Sequence, residues 1–573
     1  MKKIALIGAV ALIGAGAYVL NTQNSSSAYN VLDYVPADTP LFAAQFEPFP
    51  LKDYIASAPK IIDPSDIQAI DDFYDPNSPS TNFLLSLYKT YQLGLSDADL
   101  LIKTFGLPNE VRAYFYTLGL LPVFKIEVAD EQAIWDLLDK TELETGFKHK
   151  QGQLQNIQYR AYPITDETDP VNAEVIIAID KGLLTVTLNS AYNDEPLLAT
   201  ALGLTEAKSS LADSNVIQEI VKKHNFKEAS LAFINHIELV KGLTTQDGNQ
   251  LAEQLSRIEK NLESDSPLSQ MRSEQCATDF TMIAENWPRT VAGYTQLDIS
   301  SKESTIAIST IIESKNQTIL NALSDIRGFI PAYTNDINSN VLAMGLGFDV
   351  SKLSTALSAV WSDLQKPSYT CQPLANIQGQ VSQLGSSIGM VSMGANMLNG
   401  LQGISVGLLD YTISPTESSQ LESLDALLTI SAEDPAQLFN SAKMFLPALQ
   451  QVQLMPDGKA VDLSDVLPIP SELNFAPKAV IKGKHLIIYN GDKGEQVANT
   501  LSSQTLEKNG IYNLSFDFKK MVTLIITATE LSGEPIPEEV MFLTEYDARM
   551  QMSFDVNQQG LIFKSKINNK SPQ

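Results

Sequence analysis

The chain has 573 residues, too many for one ordinary core, so two or more domains are expected. Its 44% hydrophobic and 19% charged residues are those of a folded protein, not a disordered one. The formal net charge of −27 repels phosphate backbones and sets nucleic acids aside as partners.

The N-terminus reads as an export signal. Lys2 and Lys3 precede an uncharged run of 17 residues, Ile4 to Leu20, at the lower limit for crossing a bilayer as a helix. Residues 1–28 are therefore read as a membrane anchor with its linker, Lys2 and Lys3 staying on the cytoplasmic side. Cleavage after Ala17 or near Ala28 is the alternative. The lead-in that follows holds Val35-Pro36-Ala37-Asp38-Thr39-Pro40 just before a strand. This opening resembles an uncharacterised family of bacterial envelope proteins. The resemblance implies an extracytoplasmic chain and brings no activity and no functional residues with it.

Beyond that point the same order of elements comes twice. A period-two run from Leu41 passes Phe46-Glu47 into a helix reaching Ile55, and a second run from Ser339 passes Phe348-Asp349 into helical spacing through Leu353 and Leu357. Alternating pairs follow at Val111 and Leu121, and again at Ile404 and Leu424. Each pair leads into a helix with acidic residues at its start, Asp130 and Glu131 or Glu433 and Asp434, where carboxylates meet the positive end of the helix dipole. Hairpins turning at Asp180-Lys181-Gly182 and Lys482-Gly483-Lys484 precede short helices, then single strands from Ser230 and Tyr512. Closing hairpins begin near Tyr294 and Met550, with Asp298 and Asp555 before their turns. The expected fold is α+β, a tandem duplication of an antiparallel sheet with helices packed on one face. Residues 29–315 form the first half and 337–573 the second.

Two inserts break the symmetry. Residues 241–290 contain a polar helical run and Cys276; residues 367–403 contain Cys371 and a Gly/Met-rich run poor in charge. The second run reads as a helix buried between the halves; a contact for a lipid or a protein is the functional alternative. On the strand from Leu342, Leu342, Met344, Leu346 and Phe348 share one side, and Ala343, Gly345 and Gly347 the other, where another backbone could approach closely. The only two cysteines, 95 residues apart in an exported chain, are expected to form a disulfide. The alternative is a pair of buried thiols.

Chemistry-bearing motifs are few. Gly385-Ser386-Ser387-Ile388-Gly389 matches the nucleophile elbow of serine hydrolases, with His485 later in the chain as a candidate base. That chemistry needs a strand before Ser387, and the residues there read as helix or loop. His485 lies by a hairpin turn, where exposure is the default, and His236 falls on an expected strand. Ser57 with Lys60 and Ser86 with Lys89 match S-x-x-K without the motifs that accompany it. Asp71, Asp72 and Asp75, and Asp166, Glu167 and Asp169, read as solvated acidic loops rather than calcium sites. Phosphate-binding loops and zinc spacing are absent, so no cofactor is expected. The functional expectation is a tethered, non-catalytic envelope protein on the periplasmic side that binds or scaffolds an envelope protein or lipid. A carrier for an apolar ligand and a hydrolase using Ser387 are the alternatives.

Overall fold

The computed structural model describes residues 30–58, 78–165, 171–193, 195–260, 267–383, 385–413, 421–464 and 475–532. It also describes 546–570 and the isolated positions 466, 536 and 544. Residues 4–20, Lys60 and both acidic loops lie outside these. Among the described residues there are 17 helices and 19 strands, with 39% of residues helical and 33% in strands, a mixed α+β chain. The chain divides into two compact units, one running to Thr310 and the other covering Ile311–Asn569.

In unit 1 the strands are β1 (Leu41–Phe49), β2 (Val111–Leu118), β3 (Leu121–Glu127), β4 (Lys150–Leu154) and β5 (Ile157–Pro163). They continue with β6 (Glu174–Asp180), β7 (Leu183–Asn189), β8 (Ser230–Asn235), β9 (Arg289–Ile299) and β10 (Glu303–Glu313). Their pairings give the order β4-β5-β6-β7-β3-β2-β1-β8-β9-β10. Helices cover both faces of this sheet, against the expectation of one. Within β6, Ile177 packs with Ile134 and Leu138 of helix Glu131–Thr145, while Ile176 and Ala178 pack with Leu198 and Leu202 of helix Glu195–Leu202. The physical reason is in the strand: β6 is apolar on both sides, and each side needs cover.

Unit 2 has β11 (Leu342–Gly347), β12 (Leu401–Ile413), β13 (Leu421–Ala432), β14 (Val461–Asp462) and β15 (Lys478–Lys482). It ends with β16 (His485–Asn490), β17 (Tyr512–Asp517), β18 (Ala548–Asn557) and β19 (Gly560–Lys570). The order is β14-β15-β16-β13-β12-β11-β17-β18-β19. Its β15–β16 end is also covered twice. Val480 and Ile487 meet Leu501 of helix Gly491–Leu501, while Ile481 and Leu486 meet Phe439 of helix Pro435–Ala442.

Helix starts follow local chemistry. The Asp130 carboxylate accepts from Gln132 and Ala133 backbone N–H groups, and that of Asp434 from Gln437, so one acidic residue of each pair read from the sequence is a helix cap. The strand expected through His236 stops one residue earlier. Asn235 Oδ1 accepts from Glu238 N and starts helix His236–Thr244.

The small side of β11 is the buried one. Backbone of residues 326–340 lies on it, held by side chains of the sheet. Ser515 Oγ donates to Thr334 O at 2.8 Å, and Tyr333 pairs its hydroxyl with Ser405 Oγ at 2.9 Å. Asn340 Nδ2 donates to Tyr333 O at 2.7 Å, and Arg327 forms a two-bond ion pair with Asp555 on β18. A Cβ on Gly345 would sit 2.6 Å from Ile330 Cγ2, and one on Gly403 would collide with the Phe329 carbonyl oxygen. Gly403→Ala should therefore destabilise unit 2 by about 1–3 kcal/mol in chemical denaturation. Gly394→Ala, in open space on helix Gly385–Met397, should be neutral or stabilising by up to ~1 kcal/mol.

Unit 1 buries a lysine. Lys125 is 1% exposed on β3, and its Nζ donates to Thr185 Oγ1 at 2.9 Å. Burial pushes its pKa down to about 7, with Asp180 opposing. The fold thus disfavours the charged amine, and stability falls as pH drops from 10.5 towards 7 and is flat below. Lys125→Met should stabilise the protein at pH 6–7 by on the order of 2–4 kcal/mol, with the gain vanishing above about pH 10. Denaturant titrations across that range measure it.

Candidate apolar-ligand site

Unit 1 has a half-open hollow of about 190 Å³ between helix Pro79–Leu95, helix Glu131–Thr145 and the strands β6 and β7. Leu84, Leu87, Tyr88 and Tyr91 line it from the first helix, at the i, i+3, i+4, i+7 spacing that places them on one face. Leu138 faces them from the second helix, and Ile177, Leu184 and Val186 form the floor. The lining is almost wholly hydrocarbon and aromatic. The volume lies below the ~300 Å³ at which drug-sized ligands start, so it suits one ring or a length of alkyl chain.

Near this cavity the polar groups satisfy one another. Tyr162 stacks on Phe83 with ring centroids 4.7 Å apart and donates its hydroxyl to Glu142 Oε1 at 2.8 Å. Glu142 also meets His149 Nδ1 at 2.6 Å and Lys148 Nζ at 3.7 Å. Burial raises the Tyr162 pKa, so the phenol keeps its proton.

In unit 2 the large-residue side of the sheet is partly open at β11, β12 and β17–β19 among the described residues. Register places Ile404, Leu346, Tyr512, Phe554 and Phe563 in one row across β12, β11, β17, β18 and β19. The next row holds Val406, Met344, Leu514 and Met552. Within these rows Leu346, Ile404, Val406, Met552 and Phe563 are exposed. Five strands at about 4.8 Å spacing make this an apolar floor roughly 20 Å wide. Patches of a few hundred Å² are where soluble proteins carry binding sites. A second, larger hollow of about 500 Å³ is lined by Asp457, Lys459, Lys482 and Glu495; charges of both signs make it a poor apolar site.

The residues singled out from the sequence fall apart in space or function. Ser387 belongs to helix Gly385–Met397, and the described residues before it form helix Gln372–Ser382, so no strand leads into the motif. Its side chain lies outside the described residues. Ser86 donates to Glu144 Oε2 at 3.3 Å from within a helix. Cys276 and Cys371 are joined as a disulfide. The Gly/Met-rich run is not a buried helix: helix Gln372–Ser382 has no buried residue, and Met390 and Met393 are 67% and 73% exposed. Among the described residues no group of His, Cys, Asp and Glu could hold a metal ion.

His485 corrects an expectation. It is fully buried, because chain leaving helix Gly491–Leu501 folds back over the hairpin turn. Its Nε2 meets Gln504 O at 3.1 Å and its Nδ1 meets Ser431 Oγ at 2.8 Å. A neutral ring protonated on Nε2 satisfies both contacts, Ser431 then donating to Nδ1. Burial lowers its pKa, partly offset by the Gln504 carbonyl. The cavity residues escaped the sequence reading, although the spacing of Leu84, Leu87, Tyr88 and Tyr91 was there to be seen.

No protein-family model, curated protein or solved structure matches the chain. Among the described residues no helix is long and apolar enough to cross a membrane.

Because the folded state holds His485 neutral, its contribution is complete above about pH 6.5 and is lost as pH falls below that value. His485→Gln should cost about 1–2 kcal/mol at pH 7 and flatten the stability profile between pH 7 and 5, as read by urea denaturation.

Proposed function

We propose that this chain is a non-catalytic binding protein for an apolar, acyl-type ligand, exported and tethered to the outer side of a membrane through residues 4–20. The observation that carries the reading is the hydrocarbon-lined cavity of about 190 Å³ in unit 1. Apart from the hydroxyls of Tyr88 and Tyr91 its lining offers no polar side chain to recognise or activate a head group, which favours holding a chain over chemistry on it. The tether rests on Lys2 and Lys3 before the apolar run, and the envelope location rests on the resemblance of the Val35–Pro40 opening.

We further propose that the two units arose by duplication. Strand order supports this: β6-β7-β3-β2-β1-β8-β9-β10 in one matches β15-β16-β13-β12-β11-β17-β18-β19 in the other. Equivalent helices follow equivalent strands, with Asp130 and Asp434 as caps after β3 and β13. The correspondence extends to the site. In unit 1 the register runs Val186–Phe124–Phe115–Ala43, and the cavity lies on that face. The equivalent row in unit 2 is Ile488–Leu428–Val406–Met344, whose Val406 and Met344 belong to the partly open apolar floor.

Native mass spectrometry of the purified chain should reveal a bound amphiphile. A fluorescent fatty acid should bind, and Leu87→Trp, which fills the cavity from its wall, should weaken that binding at least tenfold, about 1.4 kcal/mol. Leu143→Trp, at an 81% exposed position on helix Glu131–Thr145, should leave it unchanged. Absence of binding by the unaltered chain, or equal binding by both variants, overturns the reading in favour of a protein scaffold.

A further inference from the structure

Between Lys366 and Asp410 the chain has no acidic or basic residue. At the average composition, 19% charged, a stretch of that length would carry about eight. Most of it is a pair of helices, Gln372–Ser382 and Gly385–Met397, the first of which starts directly after disulfide-bonded Cys371. Gly385 rests against Trp361, which fixes the second helix on helix Val350–Leu364. The pair is open to its surroundings. Ile377, Met390, Val391, Met393 and Leu398 are 43–73% exposed. The polar side chains among them are neutral amides and hydroxyls.

Water-facing helices in a soluble protein normally carry charge on about a quarter to a third of their positions. Exposed Met, Ile and Val with no charge nearby have the opposite character. A membrane interface accepts such a surface: apolar side chains enter the acyl region, and neutral amides and hydroxyls stay at head-group depth. Any carboxylate or ammonium there would resist entry. With a net charge of −27, the chain gains nothing from anionic lipid, so a zwitterionic surface is the matching one. Flexible methionines, and Gly389 and Gly394, where a side chain would meet open space, adapt to an uneven lipid surface.

We infer that the helical pair 372–397 of unit 2 is a lipid-contact element that inserts its apolar side chains into the head-group region of a zwitterionic bilayer. In the same unit, β12 begins directly after it at Leu401 and carries Ile404 and Val406 of the open apolar floor. An acyl chain withdrawn from the bilayer thus has apolar surface to move onto. The inference takes its purpose from the ligand reading above, but its test does not depend on a ligand.

The full chain is reconstituted with vesicles of phosphatidylcholine whose acyl chains carry bromine, a contact quencher of indole fluorescence. Met393→Trp and, as a second site, Met390→Trp are compared with Leu143→Trp and with the unaltered chain, which supplies the background of its own tryptophans. The added indole at either methionine should shift its emission to the blue and lose at least half its intensity to the brominated chains, while that at Leu143→Trp should not. Met390→Asp in the Met393→Trp background should reverse most of that quenching. Free access of acrylamide to the indole with no loss to bromine overturns the inference, as does equal quenching at Leu143→Trp. Protection from acrylamide without any lipid means that a second copy covers the helices, and also overturns it. A fatty-acid result negative in the previous experiment leaves this one readable, so the two proposals fail separately.

Discussion

Unit 2 is built on the difference between the two sides of β11, β12 and β17. One side carries Ala343, Gly345, Gly403, Ser405 and Ser515, small enough for backbone to lie directly on the sheet. The segment 326–340 uses that room, and its carbonyl groups find donors in Ser515, Asn513 and Asn340. Desolvating backbone without partners would cost free energy for each group, so the hydroxyls and amides of this face are what make the arrangement stable. The other side consequently receives most of the large apolar residues of these strands, Leu409 excepted. With backbone taking the small side, the large side is left to be covered by helices or by something outside the chain.

The two units meet this constraint differently. In unit 1 the helices Pro79–Leu95 and Glu131–Thr145 close over the equivalent face and leave only a hydrocarbon-lined hollow. In unit 2 Phe439 and Val452 cover the β15–β16 end, while Leu346, Ile404 and Phe563 stay exposed. One sheet order is thus covered to two different degrees. The absence of charge from residues 367–409 extends the apolar character beyond the sheet itself.

Much of the architecture was readable from sequence because antiparallel strands and capped helices have local signatures. Period-two alternation located β1, β11 and the hairpins, and Asp130 and Asp434 before helix Glu131–Thr145 and helix Pro435–Ala442 proved to be caps. The small side of β11, with Ala343, Gly345 and Gly347, was legible as a place for close backbone approach. Which segment would lie there was not, because the approach of residues 326–340 depends on tertiary hydrogen bonds. His485 fails for the same reason: exposure at a turn is a local expectation, and chain from residues 500–504 overrides it. The cavity required two helices distant in sequence to face one another, and only the spacing on one of them was visible beforehand.

The bond between Cys276 and Cys371 has a consequence for how the molecule comes apart. Every peptide bond between those positions lies inside a covalent ring. A protease that nicks the chain near Lys315 would leave two polypeptides still travelling as one on a non-reducing gel, separable only by a thiol. Outside the cytoplasm, where such a bond persists, a single cut in that stretch is therefore not enough to shed one unit from the other.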